Sequence, residues 1–214
     1  MTTTALKQRL KRDAERYPDA TRVRLHRALS WLGRAEREDK DPDAAFIFLW
    51  IAFNAAYARE FGQDETERKR FGEFLAMLIA VDTPKVLHDL VFSQYSGPVR
   101  TLIENEFVFE PFWTALRGHD SSKHWERVFR DSRKAALKAV MHGNTATVLS
   151  IVFDRLYVLR NQLIHGGATW NGKLNRAQVK DGVRILGAII PVILALMLDR
   201  PDLEFGDVLY PAVG

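Results

Sequence analysis

Asp41-Pro42-Asp43-Ala44-Ala45-Phe46-Ile47-Phe48-Leu49-Trp50-Ile51-Ala52-Phe53-Asn54-Ala55-Ala56-Tyr57 is the stretch that decides the fold. Aspartate followed by proline marks a helix start. The carboxylate accepts free N–H groups of the first turn, and proline has no N–H to leave unpaired there. Residues 46–53 are apolar on every side of a helix, so this helix belongs at the centre of the protein. Trp50, Asn54 and Tyr57 fall at i, i+4 and i+7 and share a face. Asn54 is the only strongly polar residue between Ala44 and Ala58, and a buried amide needs partners. It reads equally as a structural hydrogen bond and as the lining of a site, whereas Trp50 and Tyr57 read more readily as core.

Working outward, the helical period persists and no alternating strand is visible. Polar helices are expected over 4–16 and 19–38, divided by Pro18. The apolar helix should stop at Gly62. Asp64 and Glu67 have capping-box spacing and open a helix to about residue 80. Thr83-Pro84 starts another, ending near Ser96-Gly97-Pro98. Residues 98–118 read as short pieces broken by Pro111 and Gly118. Ser121 or Ser122 opens a helix to about Met141, closed by Gly143-Asn144. Asn144 or Thr145 opens the next, which stops at Gly166-Gly167. After a loop holding Trp170-Asn171-Gly172, Asn175 with Gln178 caps a last long helix to about Asp199. The expectation is a single all-α domain, with a helical extension over 1–40, a core over 41–199 and an irregular tail over 200–214.

Composition narrows the function classes. With 214 residues, the chain is long enough for one real core. Cysteine is absent, which removes disulfides, thiolate metal sites and cysteine nucleophiles. No apolar run follows the basic residues Lys7, Arg9, Lys11 and Arg12, so no secretory signal is expected. The longest apolar run, residues 185–198, is shorter than the roughly 20 residues a membrane span needs. It reads as a core helix, and the chain as cytoplasmic with no membrane partner. There is no His-Glu-x-x-His, no glycine-rich phosphate loop and no calcium loop, so neither a metal nor a cofactor is expected.

Chemistry concentrates at the end of the 145–165 helix. Leu149, Val152, Leu156, Leu159 and Leu163 form a narrow apolar seam, suited to one neighbouring helix or a symmetry mate. Beside it stand Arg160, Asn161 and His165. Asn161 and His165 are four apart and share a face, and the long Arg160 side chain can swing toward it. His165 stands at the helix C-terminus, where the dipole favours imidazolium. A histidine moves protons near neutral pH, and a guanidinium stabilises a phosphorane or oxyanion. These residue types suit phosphodiester cleavage. The spacing alone equally describes an ordinary helix end.

The segment Arg160-Asn161-Gln162-Leu163-Ile164-His165 resembles the signature of the HEPN superfamily: an arginine, a polar residue, and a histidine after four intervening positions. The wider stretch from Tyr157 to Gly167 and the earlier Leu49-Trp50-Ile51-Ala52-Phe53-Asn54-Ala55-Ala56-Tyr57 are similar to that family too. The resemblance implies a helical bundle of HEPN type over about 40–199, here with additional N-terminal helices. It implies a homodimer with the motif helices meeting near its two-fold axis. It also implies a metal-independent endoribonuclease from a toxin, defence or RNA-processing system, with Arg160 and His165 catalytic and Asn161 as the polar position. RNA, single-stranded or structured, would be the substrate, and an antitoxin or regulatory protein a partner. Members paired with a nucleotidyltransferase antitoxin often carry a tyrosine two residues after the histidine. Here that position is Gly167, so that form of control is not implied. Other members are non-catalytic modules that bind RNA, a nucleotide or a protein.

The net charge of +4 says little by itself. Lys123, Arg127, Arg130, Lys134 and Lys138, however, recur at 4, 3, 4 and 4 on one helical face, opposite Trp125, Val128, Phe129, Ala136 and Val140. Such a stripe is either a track for RNA phosphates or a solvated face. The basic residues of the first helices, Lys7, Lys11, Arg22, Arg24 and Arg27, are mixed with acids and read as solvated.

Overall fold

A computed structural model of the chain describes residues 2–58, 66–173 and 175–211. Ten α-helices carry its regular structure, with no strand among the described residues, so the protein is all-α as its sequence implies. The helices gather into two compact units, residues 1–86 with 186–214 and residues 87–185.

In the first unit, Thr2 caps α1 (Thr3–Arg12), which gives way to a 3-10 turn (Ala14–Arg16), and α2 (Asp19–Ala35) follows Pro18. Asp41 opens α3 (Pro42–Tyr57) by accepting the Asp43 and Ala44 N–H groups at 3.0 Å, and no residue of α3 is exposed. α2 lies along α3. Phe53 packs on Tyr57, with ring centroids 4.7 Å apart, and on Phe71 and Phe74 of α4 (Glu67–Val81) at 6.3 Å. Gly62 and Asp64 lie outside the described residues. The start of α4 corrects the expected capping box: Thr66 is the cap, accepting the Lys69 N–H, and Glu67 instead accepts the Tyr57 hydroxyl at 2.8 Å.

Among the basic residues of the first helices expected to be solvated, Lys7 and Lys11 are exposed, but Arg24 is not. It is 1% exposed, and its guanidinium donates to the carbonyls of Ala56, Ala58, Phe205, Gly206 and Asp207. A cation this buried stays charged only when such acceptors surround it. Here they come from the end of α3 and from the tail.

The apolar run 185–198 belongs to a longer helix, α10 (Arg176–Asp199). By length and composition α10 is able to cross a bilayer, but 67% of its most apolar window is buried within the chain, which is how a core helix behaves.

A turn at Thr83-Pro84 leads into α5 (Val86–Asp89), whose first N–H is accepted by Asp82 at 2.9 Å, and the second unit begins within this helix at Leu87. A π-helical turn (Leu90–Gln94) follows directly, closed by the Tyr95 N–H on the Leu90 carbonyl at 2.9 Å. Two prolines expected to break helices begin them instead. Pro98 lies in the first turn of α6 (Ser96–Glu104), and Pro111 in that of α7 (Glu110–Arg117), reached through a 3-10 turn (Glu106–Val108). The first turn has N–H groups with no helical partner, so proline sacrifices nothing there.

Ser122 accepts the first N–H of α8 (His124–Met141), and Gly143 ends it at φ +62°, a left-handed conformation that favours glycine. Asn144 caps α9 (Thr145–Ile164) through the Thr147 N–H at 3.0 Å. α9 packs against α6 and α8. Leu149, Val152 and Leu156 are 0% exposed and Leu159 is 1% exposed. Four of the five seam residues are thus buried within the chain, and the fifth, Leu163, is half-buried.

Candidate functional site

The end of α9 is held by its own residues. Arg155 is 3% exposed, lies 4.3 Å above the Phe109 ring and donates to Ser132 Oγ at 3.0 Å, which ties α9 to α8. Farther on, the Gln162 amide does the work of a clamp. Its Nε2 donates to the Phe107 carbonyl at 2.7 Å, the same carbonyl that accepts the Trp113 indole N–H at 2.8 Å. Its Oε1 accepts from Asn175 Nδ2 at 2.7 Å. Asn175 stands at the start of α10 as expected, its carbonyl accepting the Val179 N–H at 2.9 Å, but it is buried at φ +53° and its side-chain Nδ2 donates to Gln162.

Between these anchors sits the motif. Arg160 is half-buried and donates through Nη1 to Asn161 Oδ1 at 2.8 Å. Asn161 therefore orients the guanidinium directly, which is a specific role for the polar position. His165 is the C-cap residue of α9. Its backbone N–H bonds to the Asn161 carbonyl at 3.0 Å, and its ring is exposed, with no hydrogen bond among the described residues. Gly166 turns the chain away at φ +71°. A Cβ at Gly167 would stand 3.3 Å from the Gln162 carbonyl, so the second glycine lets the loop pass close to the helix end. Beyond it, Trp170 is 72% exposed in a turn closed by the Gly172 N–H on the Thr169 carbonyl.

The structure thus brings Arg160, Asn161 and His165 to one helix end in the second unit. Trp50, Asn54 and Tyr57 belong to the first. Trp50 is 1% exposed and Tyr57 4%, both within the aromatic core. Asn54 is half-buried, and its Oδ1 has no partner among the described residues. The stripe residues Lys123, Arg127, Arg130, Lys134 and Lys138 are all exposed, while Phe129 and Ala136 opposite them are buried. Val140 departs from the expected pattern, being 40% exposed.

Sequence reasoning passed over Gln162, Phe107 and Trp113. Gln162 stands inside the motif but outside its pattern, and its partner is a backbone carbonyl, which leaves no mark on residue type. Among the described residues no group of three or more histidine, aspartate or glutamate side chains is placed to hold a metal ion. Comparison of the chain with protein-family models, with curated proteins and with solved structures finds no match.

Proposed function

We propose that this protein is a metal-independent endoribonuclease of HEPN type that acts as a homodimer in the cytosol. One observation carries the reading: a half-buried Arg160 is bound by Asn161, and an exposed His165 follows at the helix end closed by Gly166. In the reaction, the RNA 2′-oxygen attacks the adjacent phosphorus and the bond to the 5′-oxygen breaks. His165 takes the 2′-OH proton or supplies one to the leaving 5′-oxygen. A second His165 from the partner subunit would let base and acid act together. Arg160 stabilises the charge that builds on the phosphorane without changing its own protonation. The products are a 2′,3′-cyclic phosphate and a 5′-hydroxyl.

The exposed stripe on α8 supports an RNA substrate, because its five cations carry the chemistry that neutralises phosphates. The test is to incubate the full chain with mixed single-stranded and structured RNA in EDTA and identify the ends formed. Cyclic phosphate ends support the reading. Intact RNA, or 3′-hydroxyl ends, contradict it.

A further inference from the structure

A second feature of the second unit is a groove formed by α6, α8 and the π-helical turn. The groove encloses about 270 Å³. Its floor is apolar: Val91 and Phe92 from the π turn, Val99 and Ile103 from α6. Leu137 and Val140 of α8 form its wall, and at 51% and 40% exposure they are large apolar side chains left facing solvent. π turns are rare and often accompany functional sites, since the extra residue widens the helix and re-aims its neighbours.

The polar lining of the groove is Ser96 and a charged cluster of Arg100, Glu104 and Arg133. Glu104 accepts from Arg100 Nε at 3.0 Å and lies 3.8 Å from Arg133 Nη2. Two guanidinium groups thus share a single carboxylate, leaving one positive charge in excess. Arg133 Nε is also buried with no acceptor among the described residues. Along α8, Leu137 and Val140 stand one and two turns beyond Arg133, about 6 and 10 Å away at 1.5 Å per residue. Along α8 the groove therefore passes from a cationic side chain to apolar ones.

We infer that this groove binds an amphipathic monoanion, a medium-chain carboxylate with its head group on the Arg133 guanidinium, which Glu104 approaches only to 3.8 Å, and its chain over Val99, Ile103 and Leu137. Guanidinium groups recognise carboxylates by paired hydrogen bonds. Volume sets the chain length: a dry apolar cavity of about 150 Å³ holds a six-carbon ring, so 270 Å³ holds roughly ten carbons.

The test is calorimetric titration of the full chain with hexanoate, octanoate, decanoate and decanol. Affinity should rise about fourfold per added methylene up to decanoate. Decanol, which has no charge, should bind at least tenfold more weakly. Leu137→Glu places a carboxylate over the groove at an exposed position and should abolish decanoate binding without lowering the melting temperature. The double variant Arg100→Gln with Arg133→Gln should bind decanoate no better than decanol. Equal binding of decanoate and decanol by the unaltered protein overturns the inference. So does the absence of decanoate binding by a chain shown to be folded by circular dichroism, or decanoate binding unchanged by Leu137→Glu.

Discussion

Gln162 and Phe107 meet across 55 residues of chain through one hydrogen bond, from the Gln162 amide to the Phe107 carbonyl at 2.7 Å. With Asn175 on its other side, Gln162 fixes the last turns of α9 to the segment before α7 and to the residue that opens α10. Arg160 and Asn161 stand just ahead of this clamp and His165 just after it.

Gln162→Ala should therefore act on the site without touching substrate. It removes two hydrogen bonds and leaves the buried Asn175 amide without its partner, at a cost of about 1–3 kcal/mol. Urea unfolding checks the stability loss. RNA cleavage should fall by less than it does in His165→Ala, because the motif side chains remain. An unchanged unfolding midpoint would show that the clamp contributes nothing.

Asn161→Ala should lower cleavage less than His165→Ala does. The Arg160 guanidinium loses the acceptor that orients it but keeps its charge. Asn161→Leu separates orientation from size, since it keeps the volume without the acceptor and should lose as much rate as Asn161→Ala. Single-turnover rates of the three variants at one pH make the comparison. Equal losses in Asn161→Ala and His165→Ala would give the asparagine a larger part than orientation.

On α8, replacing Arg127, Arg130 and Lys134 with glutamine should weaken RNA binding and flatten its salt dependence. Each lost contact to a single strand reduces the slope of log affinity against log salt by about 0.7, so three reduce it by about 2. All three side chains are exposed, so the melting temperature should hold. An unchanged salt slope would make the stripe an ordinary solvated face.

Much of the fold was legible because it rests on local chemistry. Asp41-Pro42, Asn144 and Gly143 read correctly, since caps and left-handed glycines act within a few residues. The prolines at 98 and 111 misled because proline serves both as a helix breaker and as a first-turn residue, and only the neighbouring hydrogen bonds distinguish the two. The seam of α9 was visible, but period alone does not say whether its partner lies in the same chain. Arg24 was illegible for a similar reason. Its acceptors are backbone carbonyls, some of them about 180 positions away, and carbonyls have no sequence signature. At the candidate site, the spacing of Arg160, Asn161 and His165 could be read directly, whereas the Gln162 clamp could not.

Arg24 gives the sharpest stability prediction. Arg24→Ala strips its guanidinium from five backbone carbonyls and frees the tail at 205–207 from α2. Removing the guanidinium leaves buried carbonyls without their donor, at a cost of about 1–3 kcal/mol for each group left unsatisfied. Arg24→Lys should recover only part of this, because an ammonium cannot span the same acceptors as a planar guanidinium. Denaturant unfolding of both variants measures the difference. A loss below about 1 kcal/mol in Arg24→Ala would show that water replaces the guanidinium at little cost.

The central claim is tested most directly by the rate at which a labelled single-stranded RNA is cut in EDTA by the unaltered chain and by His165→Ala. The ring of His165 is exposed and supports no neighbour among the described residues, so the substitution should leave fold and melting temperature intact. Cleavage should fall by roughly 10²–10⁴-fold, the contribution of a proton-transferring side chain. Equal cleavage by both proteins, or no cleavage of any RNA by the folded, unaltered chain, would contradict the account.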